Sequence, residues 1–320
     1  MTWALRRIGS DEADLSAVVA IVNTVNPEYP TSLEETTWGD ATYPGAVRFL
    51  AEESGRPVGA ATVGRIWMLP PEFDGLWATI DVLPEARRRG IGGAMYAAIS
   101  ETARERSKTT LFIDTQADRP QSVAFLEHRG FVETDRYRMV ALDLRGLDPP
   151  VPAPPPGITI TTLADRPDLL AAVYDIAVET YPDVPSSVEP MATGTYDEFV
   201  ARDVDRPGMP RDAFFVAVDD AVGKAVGWAS LLFKPGSSTV AYHDMTTVAR
   251  AWRGRGIATA LKRATIAWAI RHGLELLETG NDVSNAPMRA VNRRLGYEPR
   301  PDHIEFRGPL AAVAGSAAAG

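Results

Sequence analysis

The chain has 320 residues, a length typical of about two domains, and its 45% hydrophobic and 23% charged residues are ordinary for a globular protein. It contains no cysteine, which excludes disulfides and thiolate chemistry, and its four histidines include no H-x-x-x-H pair, which disfavours a zinc or other metal site. The net charge of −9 disfavours nucleic-acid binding, and the lack of a leader-like or membrane-length apolar run predicts a cytoplasmic protein with no membrane partner.

The first half reads as alternating helices and strands. Asp11 is expected to begin a first helix, and strands follow around residues 48–52, 58–65 and 76–82. A glycine-rich loop then precedes an amphipathic helix, and a strand at 110–115, a short helix and a last strand complete the half. The next ten residues, 148–157, are rich in proline. They predict an extended spacer, because each proline lacks a donor and fixes φ, although such a run could also bind a proline-reading module.

The second half has the same order. Asp165 is expected to begin its first helix, and strands follow around residues 214–218, 225–232 and 240–248. The helix that begins at Ile257 is expected to stop at His272–Gly273, and a strand at 274–279 comes next. The sequence thus predicts an N-terminal domain over 1–147, a linker over 148–157, a C-terminal domain over 158–310 and a disordered tail over 311–320.

Two long segments of the chain repeat one another. Both halves contain the pattern V-x-x-x-x-R-x-x-G-I-[GA], and the step from Val82 to Val248 is 166 residues. A glycine–aromatic pair follows 40 residues after the loop in each half, at Gly130 and at Gly296. A repeat of this period indicates two copies of one domain, since a solenoid needs short periods.

The repeated loop has the composition of a pyrophosphate site. The first N–H groups of the following helix have no partner within the helix and lie at its positive end, while glycine lets a phosphate approach the backbone and arginine adds charge-assisted hydrogen bonds. The spacing is neither that of a P-loop nor that of a dinucleotide fold. A basic helix start after a turn is the alternative, and two copies with the same downstream pair make it less favourable.

The loop, the segment Phe125–Phe131 and the segment Asn285–Tyr297 resemble the GNAT family of N-acetyltransferases, and the tandem arrangement is similar to that of actinobacterial double-GNAT proteins. The resemblance implies an α/β fold with two tandem GNAT domains, each a mixed central sheet flanked by helices. It implies acetyl-CoA as the acyl donor, bound where two strands diverge, and a small-molecule amine as the acceptor. No metal is implied.

By the same resemblance, the cofactor-binding residues lie in the two loops and at the start of the closing helix. They are Val82, Arg87, Arg88, Arg89, Gly90, Ile91, Gly92 and Gly93 in the first half, and Val248, Arg253, Gly254, Arg255, Gly256, Ile257, Ala258 and Asn285 in the second. The first half is read as having Ser122 at the place of Asn285.

Many family members have an acidic base four residues before the valine. Asp244 has this place in the second half and Ala78 in the first, so Asp244 is the candidate catalytic base and catalysis is expected in the C-terminal domain. Strand alternation predicts that Asp244 shares a face with Val248 and that His243 points the other way.

The tyrosine that many members use as general acid is missing from both halves, where Leu126 and Asn292 stand instead. The alternatives are therefore a non-catalytic acyl-CoA-binding scaffold, another acyl-CoA donor, or a protein amine as acceptor.

Overall fold

The computed structural model describes residues 2–185 and 189–313. Its helices are α1 (Glu12–Val25), α2 (Leu33–Thr42), α3 (Ile91–Glu105), α4 (Pro120–Glu127), α5 (Leu170–Thr180), α6 (Tyr196–Asp203), α7 (Ile257–Arg271) and α8 (Ala286–Arg294). Its strands are β1 (Trp3–Ile8), β2 (Val47–Glu53), β3 (Arg56–Arg65), β4 (Leu76–Val82), β5 (Thr110–Gln116), β6 (Val132–Asp143), β7 (Ile158–Thr162), β8 (Phe214–Asp219), β9 (Lys224–Phe233), β10 (Val240–Val248), β11 (Leu276–Asp282), β12 (Glu298–Pro299) and β13 (His303–Pro309).

The chain forms two compact units, and the first contains Met1–Arg136 with His303–Gly320. Its sheet has the order β1-β2-β3-β4-β5-β13, in which β4 and β5 are parallel and the other pairs are antiparallel. Helix α1 covers one face, where Leu50 and Ala60 are buried. Helix α3 covers the other, where Met95 and Ile99 are fully buried with Ala61.

The second unit contains Tyr137–Asp302. Its sheet has the order β6-β11-β10-β9-β8-β7, with β12 beside β6, and only β10 and β11 are parallel. Helix α5 lies against β9 and β10, while α7 lies against β8, β9 and β10. Ile257 and Leu261 of α7 pack on Val226 and Val248 of the sheet.

The compact units and the sequence repeat differ at the last strand of each half. Strand β13, from the end of the chain, pairs with β5 in the first unit, and residues 137–143 of β6 pair with β11 in the second. The predicted domain bounds, 1–147 and 158–310, follow the two copies of the sequence repeat. As bounds of the two repeated domains they stay a prediction. Residues 148–157 form no helix or strand, as their prolines predict.

Most predicted elements are confirmed, with one local difference at the start of the second half. The Asp11 carboxylate caps α1 by accepting from the N–H of Ala13 at 3.0 Å, as expected. Asp165 does not cap a helix: it accepts from the Thr162 hydroxyl at 2.8 Å and fixes a turn, and α5 begins only at Leu170. Aspartate is a common helix cap, but here it stabilises a local turn and not a helix start.

The predicted tail begins inside the described part of the chain. The amide of Ala311 donates to Ser100 Oγ at 2.9 Å, so residue 311 is held against α3. Residues 314–320 of the predicted tail lie outside the described residues. None of the helices within 2–185 and 189–313 combines the length and apolar character that crossing a membrane requires.

Candidate active site

Two parallel strands diverge in the second unit, and the divergence makes the site. Strands β10 and β11 pair from Val240–Leu276 only as far as Tyr242–Glu278. The Thr279 hydroxyl then donates to the carbonyl of the next β10 residue, residue 243, at 2.9 Å. Beyond that bond the two strands run without pairing to each other, which leaves backbone groups free to bind an extended ligand.

The corresponding strands of the first unit also diverge. There β4 and β5 pair only at Leu76–Leu111 and Trp77–Phe112. Both units therefore have a gap between parallel strands directly before the glycine loop.

A β-bulge in β10 places Asp244 on a different face from the one expected. His243 pairs with Leu231 of β9, but the next pair is Thr246–Ala229, so two residues of β10 stand opposite Ser230 alone. The extra residue reverses the alternation. The predicted sharing of a face by Asp244 and Val248 is therefore wrong: His243 and Val248 share the α7 face, and Asp244 is on the α5 face with Ser230.

No register shift occurs between β3 and β4 in the first unit, where the ladder runs unbroken from Gly59–Val82 to Arg65–Leu76. The bulge consequently changes the match between the halves. When β10 is compared with β4 by the pairing of each with its antiparallel neighbour, β9 or β3, His243 corresponds to Ala78. Asp244 then corresponds to Thr79, which is exposed.

The Asp244 carboxylate is reachable by water although protein atoms surround it, a combination expected at the floor of a cleft. Desolvation by these atoms raises its pKa, the charge of Arg206 lowers it, and the charge of Asp203 raises it again. Ser230 Oγ donates a long hydrogen bond to its Oδ2, at 3.4 Å. A carboxylate that is accessible, weakly bonded and has a raised pKa can accept a proton.

Behind the bulge, on the α7 face, a buried network holds the strand. Thr265 Oγ1 donates to the Lys262 carbonyl at 2.9 Å and therefore accepts from His243 Nε2–H at 2.8 Å. His243 Nδ1 must then accept from the Tyr297 hydroxyl, also at 2.8 Å. Burial lowers the pKa of His243 well below its usual value, so the ring is neutral in this network.

The two glycine loops have nearly the same backbone geometry. Gly90 precedes α3 with φ 87° and Gly256 precedes α7 with φ 88°, and neither helix start has a side-chain cap. The first N–H groups of both helices are thus left to bind another partner. Those helix starts consist of Ile91, Gly92 and Gly93 in the first unit, and of Ile257 and Ala258 in the second. A Cβ at Gly256 would meet no atom within 4 Å, so steric crowding is not the reason for glycine here. Glycine suits this position because the backbone has a left-handed φ, and the space in front of it is open.

One arginine of each loop supports the strand end. Arg87 Nε donates to the Val82 carbonyl and Arg253 Nε to the Val248 carbonyl, both at 3.0 Å. The valine carbonyls are therefore engaged within the protein, and the arginines have only their terminal nitrogens to offer a phosphate. Arg253 Nη2 also pairs with Asp183 at 2.7 Å.

The other loop positions differ between the units. Arg88 has φ 63°, a strained value for a residue with a side chain, where the second loop has Gly254 with φ 76°. Arg89 is engaged by Glu53 at 2.9 Å, whereas Arg255 lies over the Trp252 ring at 4.6 Å and donates to a loop carbonyl. The second loop has the less strained backbone.

Asn285 caps the closing helix α8, accepting from the N–H of Met288 at 3.3 Å. Helix α4 of the first unit begins after Arg119, 166 residues earlier, and Ser122 lies inside the helix, so the match of Ser122 with Asn285 is wrong. Arg119 donates to the Val25 carbonyl at 2.8 Å and fixes α4 to the end of α1. Each helix has a proline near its start, but this proline is the first residue of α4 and the second residue of α8. An alignment on the prolines therefore hides the match of Arg119 with Asn285.

The first unit has its own buried carboxylate beside the gap. Asp81 is 5% exposed and accepts from Asn26 Nδ2 at 2.6 Å, on the α1 face of the sheet, opposite to the face of Val82. Burial raises its pKa to about 6, against the opposing effects of Asn26 and of the charges of Arg119 and Arg87.

The position of the family's tyrosine is occupied differently in each unit. Leu126 packs in the first core. Asn292 is 2% exposed, donates to Asn281 Oδ1 at 2.6 Å, and leaves its own Oδ1 without a partner among the described residues. No hydroxyl stands there to protonate a leaving thiolate.

Sequence reasoning missed a polar cluster on the α5 face of the second unit. Tyr181 follows the last residue of α5, and Asp203 is the last residue of α6, paired with Arg202 at 2.6 Å. The cluster comes from segments far apart in the sequence, and only the Tyr181–Pro182 pair, which repeats Tyr29–Pro30, could have indicated it. Within the described residues, no group of three or more His, Cys, Asp or Glu side chains could hold a metal ion.

Comparisons with known proteins identify the family of this chain. The family model described as the acetyltransferase (GNAT) family matches residues 17–131 and again residues 170–297. Two curated relatives are named mycothiol acetyltransferase. The one from Clavibacter michiganensis subsp. michiganensis is 27% identical over 79% of this chain and 77% of its own length. The one from Catenulispora acidiphila is 23% identical over 73% of each.

Solved structures show the same tandem fold. A tandem GNAT protein from the clavulanic acid biosynthesis pathway has a TM-score of 0.78 at 23% identity, covering 98% of this chain and 100% of its own. A GCN5-related N-acetyltransferase from Sphaerobacter thermophilus has a TM-score of 0.73 at 20% identity, covering 97% and 96%. The family match spans well over half of the sequence in two copies, and the chain therefore belongs to the GNAT family of acetyltransferases, with two GNAT regions in tandem.

Proposed function

We propose that this acetyltransferase moves the acetyl group of acetyl-CoA to a primary amine of a small molecule, and that the second unit performs the reaction with Asp244 as the base. The observation that carries the proposal is the bulge, which turns an accessible carboxylate with a raised pKa toward the α5 face directly beside the diverging strands.

The loops fit the pyrophosphate of acetyl-CoA. An uncapped helix start with a left-handed glycine in front of it offers several N–H donors to an anion, and the terminal nitrogens of Arg253 and Arg255 lie in the same loop. Acetyl-CoA supplies the activated acyl group. The unpaired edges of β10 and β11 support binding of its extended arm, and N–H groups there can stabilise developing charge on the carbonyl oxygen.

Asp244 acts on the acceptor. In its ionised form it accepts the proton that the amine loses as the new bond forms, directly or through a water. With Asn292 in place of a tyrosine, the thiolate leaves unprotonated or takes a proton from water. The protein atoms that surround Asp244 raise its basicity, while its exposure leaves it accessible to the acceptor.

The first unit serves as a second acyl-CoA site or as support. Its loop repeats the geometry of the second, but Arg119 and Asn26 connect α4 to α1 beside Asp81. Asp81 is 5% exposed, so an acceptor amine would have little access to it. The substrate of mycothiol acetyltransferases belongs in any panel of candidate acceptors, because two curated relatives have that name.

The CoA-release assay with a panel of amines tests the activity, and a pair of glycine variants tests the loop. Gly256→Ala and Gly236→Ala introduce the same strain, with φ of 88° and 74° and no atom within 4 Å of either new Cβ. Gly236 lies in the turn between β9 and β10, at the end of β10 remote from the loop.

By titration calorimetry we expect Gly256→Ala to weaken acetyl-CoA binding to the second unit by about tenfold or more, and Gly236→Ala to leave it as in the wild type. Equal affinity in the two variants would contradict the assignment of the loop.

A further inference from the structure

The first unit has a cavity of about 260 Å³ at the end of its sheet that is remote from the glycine loop. Leu76, the first residue of β4, borders this cavity, whereas the loop follows Val82 at the other end of the same strand. Arg106 also borders it and comes directly after α3, a helix of 15 residues and therefore about 22 Å long. The cavity is thus separate from the proposed acyl-CoA site of this unit.

Three of the residues that line the cavity are cationic, Arg65, Arg106 and Lys108, and none of the lining residues is acidic. In a chain with a net charge of −9 this is a local excess of positive charge. Among the described residues neither arginine pairs with a carboxylate. Lys108 helps to lower the pKa of Asp74, but the hydrogen bonds of that carboxylate are with Thr109. The charge of the arginines is therefore available to an anion.

Neutral backbone carbonyls hold these cations in place. Arg65 Nη2 donates to the Leu69 carbonyl at 3.1 Å, and its guanidinium lies over the Trp67 ring, 4.5 Å from the centroid. Arg106 Nη2 and Lys108 Nζ likewise donate to loop carbonyls, at 2.6 and 2.7 Å. The Nη1 group of each arginine donates to no described residue. The cations are thus oriented in advance, and both arginines keep N–H groups for a ligand.

The rest of the cavity wall is apolar. Trp67 and Phe73 contribute aromatic rings, and Ile66 and Pro70 also line the wall. The ring of Phe73 packs against Phe112, with centroids 5.7 Å apart, which fixes its position. A volume of about 260 Å³ is just below the range for drug-sized ligands, so it suits a single ring with one substituent.

The geometry points to a binding site for a small aromatic carboxylate, distinct from both substrates of the proposed transfer. Its ring would pack on Trp67 and Phe73, and its carboxylate would accept charge-assisted hydrogen bonds from Arg65 and Arg106. The inference does not depend on the proposed function, because no residue of the cavity belongs to either glycine loop or to the site at Asp244.

An NMR titration with benzoate tests the inference, with benzyl alcohol as a neutral ligand of similar shape. Saturating CoA is present throughout, so that the glycine loops do not take up the anion. The variants are Arg65→Gln and Arg106→Gln. Arg7→Gln is the matched control, because Arg7 is exposed in the same unit and its side chain makes no described hydrogen bond or ion pair. Thermal melting checks that each variant is folded.

We expect benzoate to bind about tenfold or more tightly than benzyl alcohol, the usual gain from a hydrogen bond to a charged group. Arg65→Gln and Arg106→Gln should each weaken benzoate binding by about tenfold, and Arg7→Gln should leave it as in the wild type.

Three results would overturn the carboxylate site: no binding of benzoate at millimolar concentration, equal affinity for benzoate and benzyl alcohol, or unchanged benzoate affinity in both Arg65→Gln and Arg106→Gln. None of them bears on acetyl transfer, which the CoA-release assay tests separately.

Discussion

Asp81 gives the sharpest prediction about stability. Its folded pKa of about 6 lies above the unfolded value of 3.8, so the native state binds more protons between these values and the free energy of unfolding falls as the pH rises through that window. The difference corresponds to about 3 kcal/mol at about pH 7.5 and to about 1 kcal/mol at about pH 4.5. Asp81→Asn removes this charge and keeps an oxygen that can accept from Asn26.

The variant should therefore melt higher than the wild type at neutral pH. For a unit of this size, about 3 kcal/mol corresponds to a rise in Tm of about 6–12 °C by scanning calorimetry, which should shrink to a few degrees at about pH 4.5. Asp118→Asn, at an exposed position of the same unit, is the control and should change little. A variant that melts lower than the wild type, or a difference that does not depend on pH, would refute this reasoning.

Two further outcomes follow from the geometry. Gly308→Ala should destabilise the first unit by about 1–3 kcal/mol, because the new Cβ would stand 2.2 Å from Phe131 Cγ, and a second change Phe131→Leu should recover part of the loss in a double-mutant cycle measured by urea unfolding. The kcat/KM of acetyl transfer should rise with pH on an acid limb whose pKa lies above 3.8, because only ionised Asp244 accepts a proton; a profile that lacks this limb in the wild type would argue for another base.

The sequence predicted the elements of the fold well because each depends on local signals. Hydrophobic alternation identified β9 and β10 nearly to the residue, and glycine after α7 marked its end. The loops were recognisable because a left-handed φ before a helix needs glycine, and both Gly90 and Gly256 have it.

What the sequence left open depends on long-range pairing. No glycine or proline marks the bulge at Asp244 in the sequence. The bulge is defined by the pairing register of β10 with β9, which only the folded structure shows. The exchange of last strands between the units is equally invisible, since β6 and β13 have ordinary strand patterns and their partners are chosen in the folded state. The environment of Asp244 depends on Asp203 and Arg206, which no spacing relates to it.

The central claim is that the second unit catalyses and that Asp244 is its base. The most direct measurement is kcat/KM for Asp244→Asn beside Asp81→Asn, on folded protein and with the amine that the wild type turns over best. We predict that Asp244→Asn loses about a hundredfold or more, the usual contribution of general base catalysis, and that Asp81→Asn stays near the wild type. Loss of turnover in Asp81→Asn with Asp244→Asn near the wild type would contradict the account and move the reaction to the first unit.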